Sequence, residues 1–215
     1  LCVAAMTGDT ALAQISSMDN PIRLGTCLTP DAKLASQETL LAIEHARLIA
    51  RDVFKTEISE SLLPPIFEKM SEIQGRIMWA ESAKSFSFEQ NNFPDQLSQQ
   101  LKGLIKLGNN ISYEQYSEDL KIAEVARRCL DEYLTHEVDI LIAPSAIGKA
   151  PQGLTQTGDP IFCRIWTLMG VPCINLPLYT SIDGLPVGIQ LIAARGQDAL
   201  LLAVADRLLK AQENT

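Results

Sequence analysis

The chain has 215 residues, 47% of them hydrophobic, and a formal net charge of −8 at pH 7. The apolar fraction supports a folded core and excludes a disordered chain, while the acidic balance counts against a nucleic-acid-binding surface, which normally needs a basic patch. The longest apolar runs fall well short of the roughly 18 residues that a membrane-spanning helix requires. We therefore expect a protein that binds neither nucleic acid nor membrane.

The cysteine and histidine content argues against a metal site. The five cysteines are an odd number at spacings that match no metal-binding or redox motif, and there are only two histidines. We expect no metal, no cofactor and reduced thiols, as in a cytoplasmic protein. The residues are Cys2, Cys27, Cys129, Cys163, Cys173, His45 and His136.

The first predicted elements form a β-α-β unit. Residues 22–28 have the pattern of a strand, residues 36–54 that of a helix and residues 53–58 that of a second short strand. Such a unit predicts two parallel strands. We expect the helix to bury a stripe of leucines that recur every seventh residue, Leu34, Leu41 and Leu48, with Leu40 and Ile49 beside them.

The middle of the chain predicts helices and one buried strand. Residues 62–79 and 97–107 have helical patterns, and we expect Gly108 to end the second helix. Ser112 and Gln115 have the spacing of a capping box that opens a further helix. Residues 138–143 are a continuous apolar run, which is typical of a central strand buried on both faces.

The clearest pattern lies between residues 157 and 192. Asp159 can cap a helix by accepting a backbone N–H, Pro160 suits the first helical position, and Gly170 suits a left-handed stop. Two apolar runs follow, residues 173–178 and 187–192, separated by the turn pair Asp183-Gly184. The alternation of strands and helices along the chain indicates an α/β fold.

Several of these segments resemble the C-terminal half of the amidase signature family, in the same order and at the same separations. The resemblance implies a mixed, mostly parallel sheet flanked by helices on both faces. It also implies that residues 1–215 are the C-terminal portion of a single amidase domain with no internal boundary. The segments are TGD at 157–159, GVPCINLPL at 170–178, GLPVGIQLI at 184–192, the helix at 198–210 and VDILIAPSAIGKAP at 138–151.

The resemblance implies hydrolysis of an amide C–N bond through an acyl-enzyme, with a serine nucleophile, a second serine and a lysine base. In the family the serines lie in a stretch of the type GGSSGG. This chain has no Gly-Gly pair, and its only Ser-Ser pair, Ser16-Ser17, lies between Ile15 and Met18. We therefore expect the catalytic residues to lie outside this chain. The chain alone should be inactive, and should supply scaffold and one wall of the pocket for a small-molecule amide.

Half of such a domain would leave a sheet edge unpaired. We expect the missing N-terminal half to cover this edge, or else self-association into a homo-oligomer. Two other interpretations stay open. One is a non-catalytic module that keeps the amidase-like scaffold for binding or assembly, and the other, less favoured, is an A-type subunit of a tRNA amidotransferase.

Three residues near the start of the predicted helix are candidates for substrate binding. Asp159 could bind a polar group of a substrate, because this helix start faces the pocket in the family, although capping alone would account for an Asp before Pro. Phe162 and Trp166 share a helix face and could line an acyl or aryl pocket, or pack in the core. Ser145 and Lys149 suggest a Ser–Lys pair, but we interpret them as a turn serine and a solvated lysine.

Overall fold

The computed structural model of the chain describes residues 6, 8 and 21–213. The strands are β1 (Leu24–Thr26), β2 (Ile58–Glu60), β3 (Ile140–Pro144), β4 (Cys173–Thr180) and β5 (Pro186–Ala193). The helices are α1 (Gln37–Phe54), α2 (Met70–Ser85), α3 (Ser87–Asn92), α4 (Gln99–Asn109), α5 (Tyr113–His136), α6 (Ile161–Met169) and α7 (Asp198–Glu213). The five strands form one sheet in the order β2-β1-β3-β5-β4.

The sheet is mixed, and four of its five strands run in the same direction. β1 is parallel to both β2 and β3, whereas β5 is antiparallel to both β3 and β4, so β4 again points the same way as β3. All five residues of β3 are buried, as predicted for a central strand. The expected mixed sheet is therefore confirmed, and two of the four pairings among the described strands are parallel while two are antiparallel.

Helices cover both faces of this sheet. On one face α1 and α7 pack against side chains that include Ile140 and Ile142. On the opposite face α2, α5 and α6 pack against side chains that include Leu141 and Ala143. Successive residues of β3 serve opposite layers because side chains alternate along a strand. The expectation of helices on both faces is confirmed.

The buried face of α1 is not the predicted one. Leu41 and Leu48 are 46% and 41% exposed, and Leu34 and Leu40 are exposed as well. The side that faces the sheet is built mainly from small residues, which let a helix approach its neighbours closely. The leucine-stripe prediction was wrong because a seven-residue repeat marks some face of a helix without saying which face the sheet covers. The buried residues are Thr39, Ala42, Ile43, Ala46 and Ala50.

Two predicted boundaries were also wrong. The expected strand at residues 53–58 is displaced, because α1 continues to Phe54, Lys55 adopts a left-handed conformation, and β2 begins only at Ile58. Gly108 does not stop α4 but lies within it. A Cβ at this position would lie 2.6 Å from the carbonyl carbon of Trp79 in α2, so the glycine is needed for close helix packing.

The segment with the clearest sequence pattern folds as predicted from α6 onward. Its start differs, because Pro160 precedes the helix instead of occupying its first position. α6 ends at Met169, and Gly170 follows it with φ of 68°. β4 and β5 are joined by a turn that contains Asp183 and Gly184. Gly184 has φ of 81°, a conformation that favours glycine over residues with a Cβ. The predicted hairpin is therefore confirmed, with strands slightly longer than expected.

Candidate functional site

A concavity of about 550 Å³ lies at the carboxyl end of β3, beside the β4–β5 hairpin. Ligands in α/β proteins bind where the carboxyl ends of parallel strands meet loops, so this is the expected place for a site. The lining combines the loop that follows β3, the approach to α6 and the hairpin itself. The lining residues are 145–151, 157–160, Cys163, Asn175, Pro177, Pro186 and Gly188.

The floor of the concavity is built on Gly188. The hydroxyl of Ser145 donates to the carbonyl oxygen of Gly188 at 2.8 Å. The side chain of Asn175 lies over Gly188, where an added Cβ would stand 3.0 Å from its amide carbon. Within the described part of the chain the Asn175 amide forms no hydrogen bond, and this exposed residue belongs to the lining. Glycine at 188 thus lets a polar amide line the floor.

Ser145 and Lys149 do not form a nucleophile–base pair. The ammonium of Lys149 lies 2.5 Å from Asp183 and 3.3 Å from Glu38. The hydrogen bond to Asp183 is the main reason why the pKa of Lys149 is raised, so the amine stays protonated. A protonated lysine cannot accept the Ser145 proton, and that hydroxyl is already bound to Gly188. The geometry agrees with the interpretation as a turn serine, while the lysine is ion-paired rather than solvated.

Asp159 lines the concavity but does not cap α6. The helix begins at Ile161 with Pro160 in the capping position and no side-chain capping bond. The Asp159 carboxylate instead lies 3.1 Å from Arg164, and its side chain is 51% exposed. The capping interpretation was therefore wrong. The role of Asp159 in substrate binding stays a prediction.

Phe162 and Trp166 are buried in the core instead of lining the opening. Phe162 is 1% and Trp166 is 2% exposed, and neither belongs to the lining of the concavity. The indole N–H of Trp166 is buried without a hydrogen-bond acceptor among the residues that the structure describes. Their predicted role in substrate binding stays a prediction, and it would require the adjoining surface to open or be completed by other residues.

Gln190 positions the candidate site, and sequence reasoning missed it. Its side-chain amide donates to the carbonyl oxygens of Pro144 at 2.6 Å and Phe162 at 2.9 Å. These two bonds tie the start of α6 to the end of β3. The signal was present, because Gln190 is a single polar residue in an apolar strand and a buried amide must find partners.

The cysteine of this site is not poised for nucleophilic chemistry. The thiol of Cys163 donates to the carbonyl oxygen of Ser145 at 3.4 Å. Burial raises the pKa of this thiol, so it is kept in the neutral form, which is a poor nucleophile. Within residues 21–213, no group of three His, Cys, Asp or Glu side chains is arranged to hold a metal ion.

A larger concavity, about 760 Å³, lies at the carboxyl ends of β1 and β2. None of the residues predicted to bind substrate lines it. Two of its charged side chains, Glu44 and Arg47, are paired with each other at 2.6 Å. We place the candidate site at the smaller concavity because its lining includes Asp159 and the Asn175 amide, which has no hydrogen-bond partner among the residues that the structure describes. Separately, none of the helices in the described ranges has the length and apolarity needed to cross a bilayer.

The fold and the site together define an α/β protein whose candidate binding face lies at the carboxyl edge of its sheet. The chain belongs to the amidase signature family, since the family model described as Amidase matches residues 23–202. This confirms the resemblance inferred from the sequence.

Two relatives illustrate the similarity in sequence. The putative amidase AmiC of Mycobacterium bovis is 32% identical over 105 residues, which cover 43% of this chain and 22% of that protein. The A-type subunit of the mitochondrial glutamyl-tRNA(Gln) amidotransferase of Rattus norvegicus is 31% identical over 121 residues, which cover 49% of this chain and 23% of that protein.

Two solved structures share the fold. The 6-aminohexanoate cyclic dimer hydrolase complexed with substrate has a TM-score of 0.78 at 18% identity and is matched over 94% of this chain and 47% of its own. A bacterial aryl acylamidase of the amidase signature enzymes has a TM-score of 0.72 at 20% identity, over 94% of this chain and 45% of its own. The chain thus spans about half the length of the structures that it matches.

Proposed function

We propose that this chain supplies the scaffold and one wall of the substrate pocket of an enzyme that hydrolyses the C–N bond of a carboxylic amide. Membership of the amidase signature family supports an amidase-type hydrolase. The finer part of the proposal follows the family resemblance: a lysine relays a proton through one serine to activate another, and the substrate forms an acyl-enzyme. Those groups would lie on residues outside this chain.

The observation that carries the proposal is the chemistry of the smaller concavity. It offers recognition groups, the Asn175 amide and the half-exposed Asp159 carboxylate, which also contacts Arg164. Its hydroxyl and its amine are both engaged elsewhere, Ser145 with Gly188 and Lys149 with Asp183. Such a surface can bind and orient an amide but has no activated nucleophile. The chain by itself is therefore expected to be inactive.

We further propose that the free edge of β4 is covered in the working protein. β4 ends the sheet, and among the described strands it pairs only with β5. Its residues Cys173, Asn175 and Pro177 are exposed. An unpaired edge exposes backbone donors and acceptors that readily recruit another strand. The remaining half of an amidase domain, or a second copy of the chain, would remove this exposure. The spacing of the cysteines favours the cytoplasm as the working compartment.

The first test is an assay of the purified chain on simple aliphatic and aryl amides, with release of the amine as the readout. We expect no turnover above a buffer control. The Ser145→Ala variant serves as the matched control, because Ser145 is the hydroxyl of the concavity. Turnover by the unmodified chain that disappears in this variant would overturn the assignment of roles.

A second test asks whether the concavity binds an amide. Benzamide titrated into isotopically labelled chain should shift the resonances of the lining residues, and Asp159→Asn should weaken that binding. Asp95→Asn, at a distant exposed site, is the matched control. Shifts confined to the larger concavity near Leu40 and Leu62, or equal binding by both variants, would contradict the proposed pocket.

A second candidate function rests on the similarity to the rat amidotransferase. In this alternative the chain is part of a protein that works within an assembly on glutamyl-tRNA. The net charge of −8 counts against direct contact with RNA. A gel-shift titration with tRNA at physiological salt separates the two ideas, because specific binding would favour the amidotransferase and its absence agrees with the amidase proposal.

A further inference from the structure

Thr39 is the one polar residue on the buried face of α1. The other buried residues of this helix are Ala42, Ile43, Ala46 and Ala50. The Thr39 side chain is fully buried. Its hydroxyl oxygen lies 2.8 Å from the carbonyl oxygen of Ile147 and 3.2 Å from that of Ala146. A hydroxyl has one proton to donate, so the shorter contact with Ile147 is the main hydrogen bond.

The first turn of α1 lies against the loop at three further points. The backbone N–H of Ser36 donates to the carbonyl oxygen of Ile147 at 2.7 Å. Gly148 lies so close that an added Cβ would stand 2.9 Å from the hydroxyl oxygen of Ser36. Glu38 lies 3.3 Å from the ammonium of Lys149. Residues 146–149 thus contact residues 36–39, which are more than 100 positions away in the sequence.

The loop that these contacts hold is one wall of the candidate site. Residues 145–151 line the concavity, and the loop begins at Ser145, which forms part of the floor. Among the residues that make these contacts, Thr39 is the one that is fully buried, and hydrogen bonds are stronger where water competes less. It is therefore the contact whose loss should matter most.

We propose that Thr39 is a positioning residue of the candidate site, which acts by holding the loop at residues 145–149 against the first turn of α1. The loop-holding part stands on the contacts alone, while its consequence for a bound amide rests on the proposed function. Without this hydrogen bond the loop opens more often, and the wall of the concavity is lost during each opening.

The test compares Thr39→Val, which keeps the shape but removes the hydroxyl, with Thr39→Ser, which restores the hydroxyl. The Ser36 N–H is protected from hydrogen exchange only while the loop is in place, because its acceptor is Ile147. The Leu40 N–H, which donates to Ser36 within the same turn, reports on the helix itself. Tryptic cleavage after Lys149 gives a second measure of loop opening.

One hydrogen bond corresponds to a change of roughly 2- to 10-fold in the opening equilibrium. We expect Thr39→Val to accelerate exchange at Ser36 and cleavage after Lys149 by this factor, with Leu40 unchanged and Thr39→Ser close to the unmodified chain. Thr135→Val is the matched control, because this exposed threonine donates within its own helix at Asp131. It should change neither readout.

Benzamide affinity then separates a positioning role from a merely structural one. Thr39→Val should weaken binding and Thr39→Ser should restore it. Two exchange results would overturn the proposal. One is an exchange rate at Ser36 that Thr39→Val leaves unchanged, and the other is an equal acceleration at Ser36 and Leu40. So would faster opening with unaltered affinity, since the loop would then not serve the site. If the unmodified chain does not bind benzamide, the proposed function fails, and the exchange and cleavage rates alone decide whether Thr39 holds the loop.

Discussion

Replacement of Gly108 by alanine measures how closely α4 approaches α2. An added methyl group would lie 2.6 Å from the carbonyl carbon of Trp79 and 2.8 Å from the Cβ of Ala83. Neither neighbour can rotate away, since one is backbone and the other is a single methyl group. Overpacking of this kind costs about 1–3 kcal/mol, and a rigid backbone neighbour puts this case near the upper end. The better helix propensity of alanine returns at most ~1 kcal/mol.

The net expectation is a loss of about 2 kcal/mol in the free energy of unfolding, or a fall of roughly 4–8 °C in Tm for a chain of this size. Gly103 is the matched control, because it lies in the same helix with no heavy atom within 4 Å of its added Cβ. Gly103→Ala should stabilise the chain by up to ~1 kcal/mol. Urea denaturation followed by circular dichroism measures both variants, and equal stabilities would refute the close approach of α4 to α2.

Two further comparisons test the packing in the same way. Arg76→Ala leaves the Asp119 carboxylate, which is only 1% exposed, without its ion-pair partner, so it should cost about 3–5 kcal/mol. Arg47→Ala breaks a surface pair and should cost less than ~1 kcal/mol; similar losses in urea would contradict the difference in burial. Ala46→Leu should lower the free energy of unfolding by about 1–3 kcal/mol because Ala46 is fully buried. Leu48→Ser should change it by less than ~1 kcal/mol. A larger loss in Leu48→Ser than in Ala46→Leu would indicate that the leucine stripe is the buried face after all.

The elements that the sequence predicted well are those whose ends are set by residues nearby in the chain, such as helix stops and turn glycines. Gly170 ends α6 because a left-handed residue is needed there, and the turn at Gly184 needs the same conformation. These requirements are satisfied within a few residues, so they are visible in the sequence. β3 was equally clear, because an unbroken apolar run has few uses other than burial on both sides.

The features that escaped prediction depend on partners that are distant in the chain. Which face of α1 is buried depends on how the helix packs on the sheet. The buried face consists largely of alanines, which are only weakly hydrophobic and so give little signal in the sequence. Gly108 was interpreted as a helix stop, because a glycine kept for the approach of Trp79 looks the same in the sequence as one kept for a turn. The partners of Thr39 and Gln190 are brought together only by the completed sheet.

The connections between the strands of the sheet have a consequence for how this site could evolve. After β1 the chain turns to the layer that contains α1, whereas after β3 it turns to the layer that contains α6. Neighbouring parallel strands with diverging connections leave a crevice at their shared end, whatever residues they carry. The wall of the candidate site at residues 145–151 belongs to the second of these connections, so part of its position follows from topology. Substitutions in the loops can change which molecule is accepted there without moving the place of acceptance.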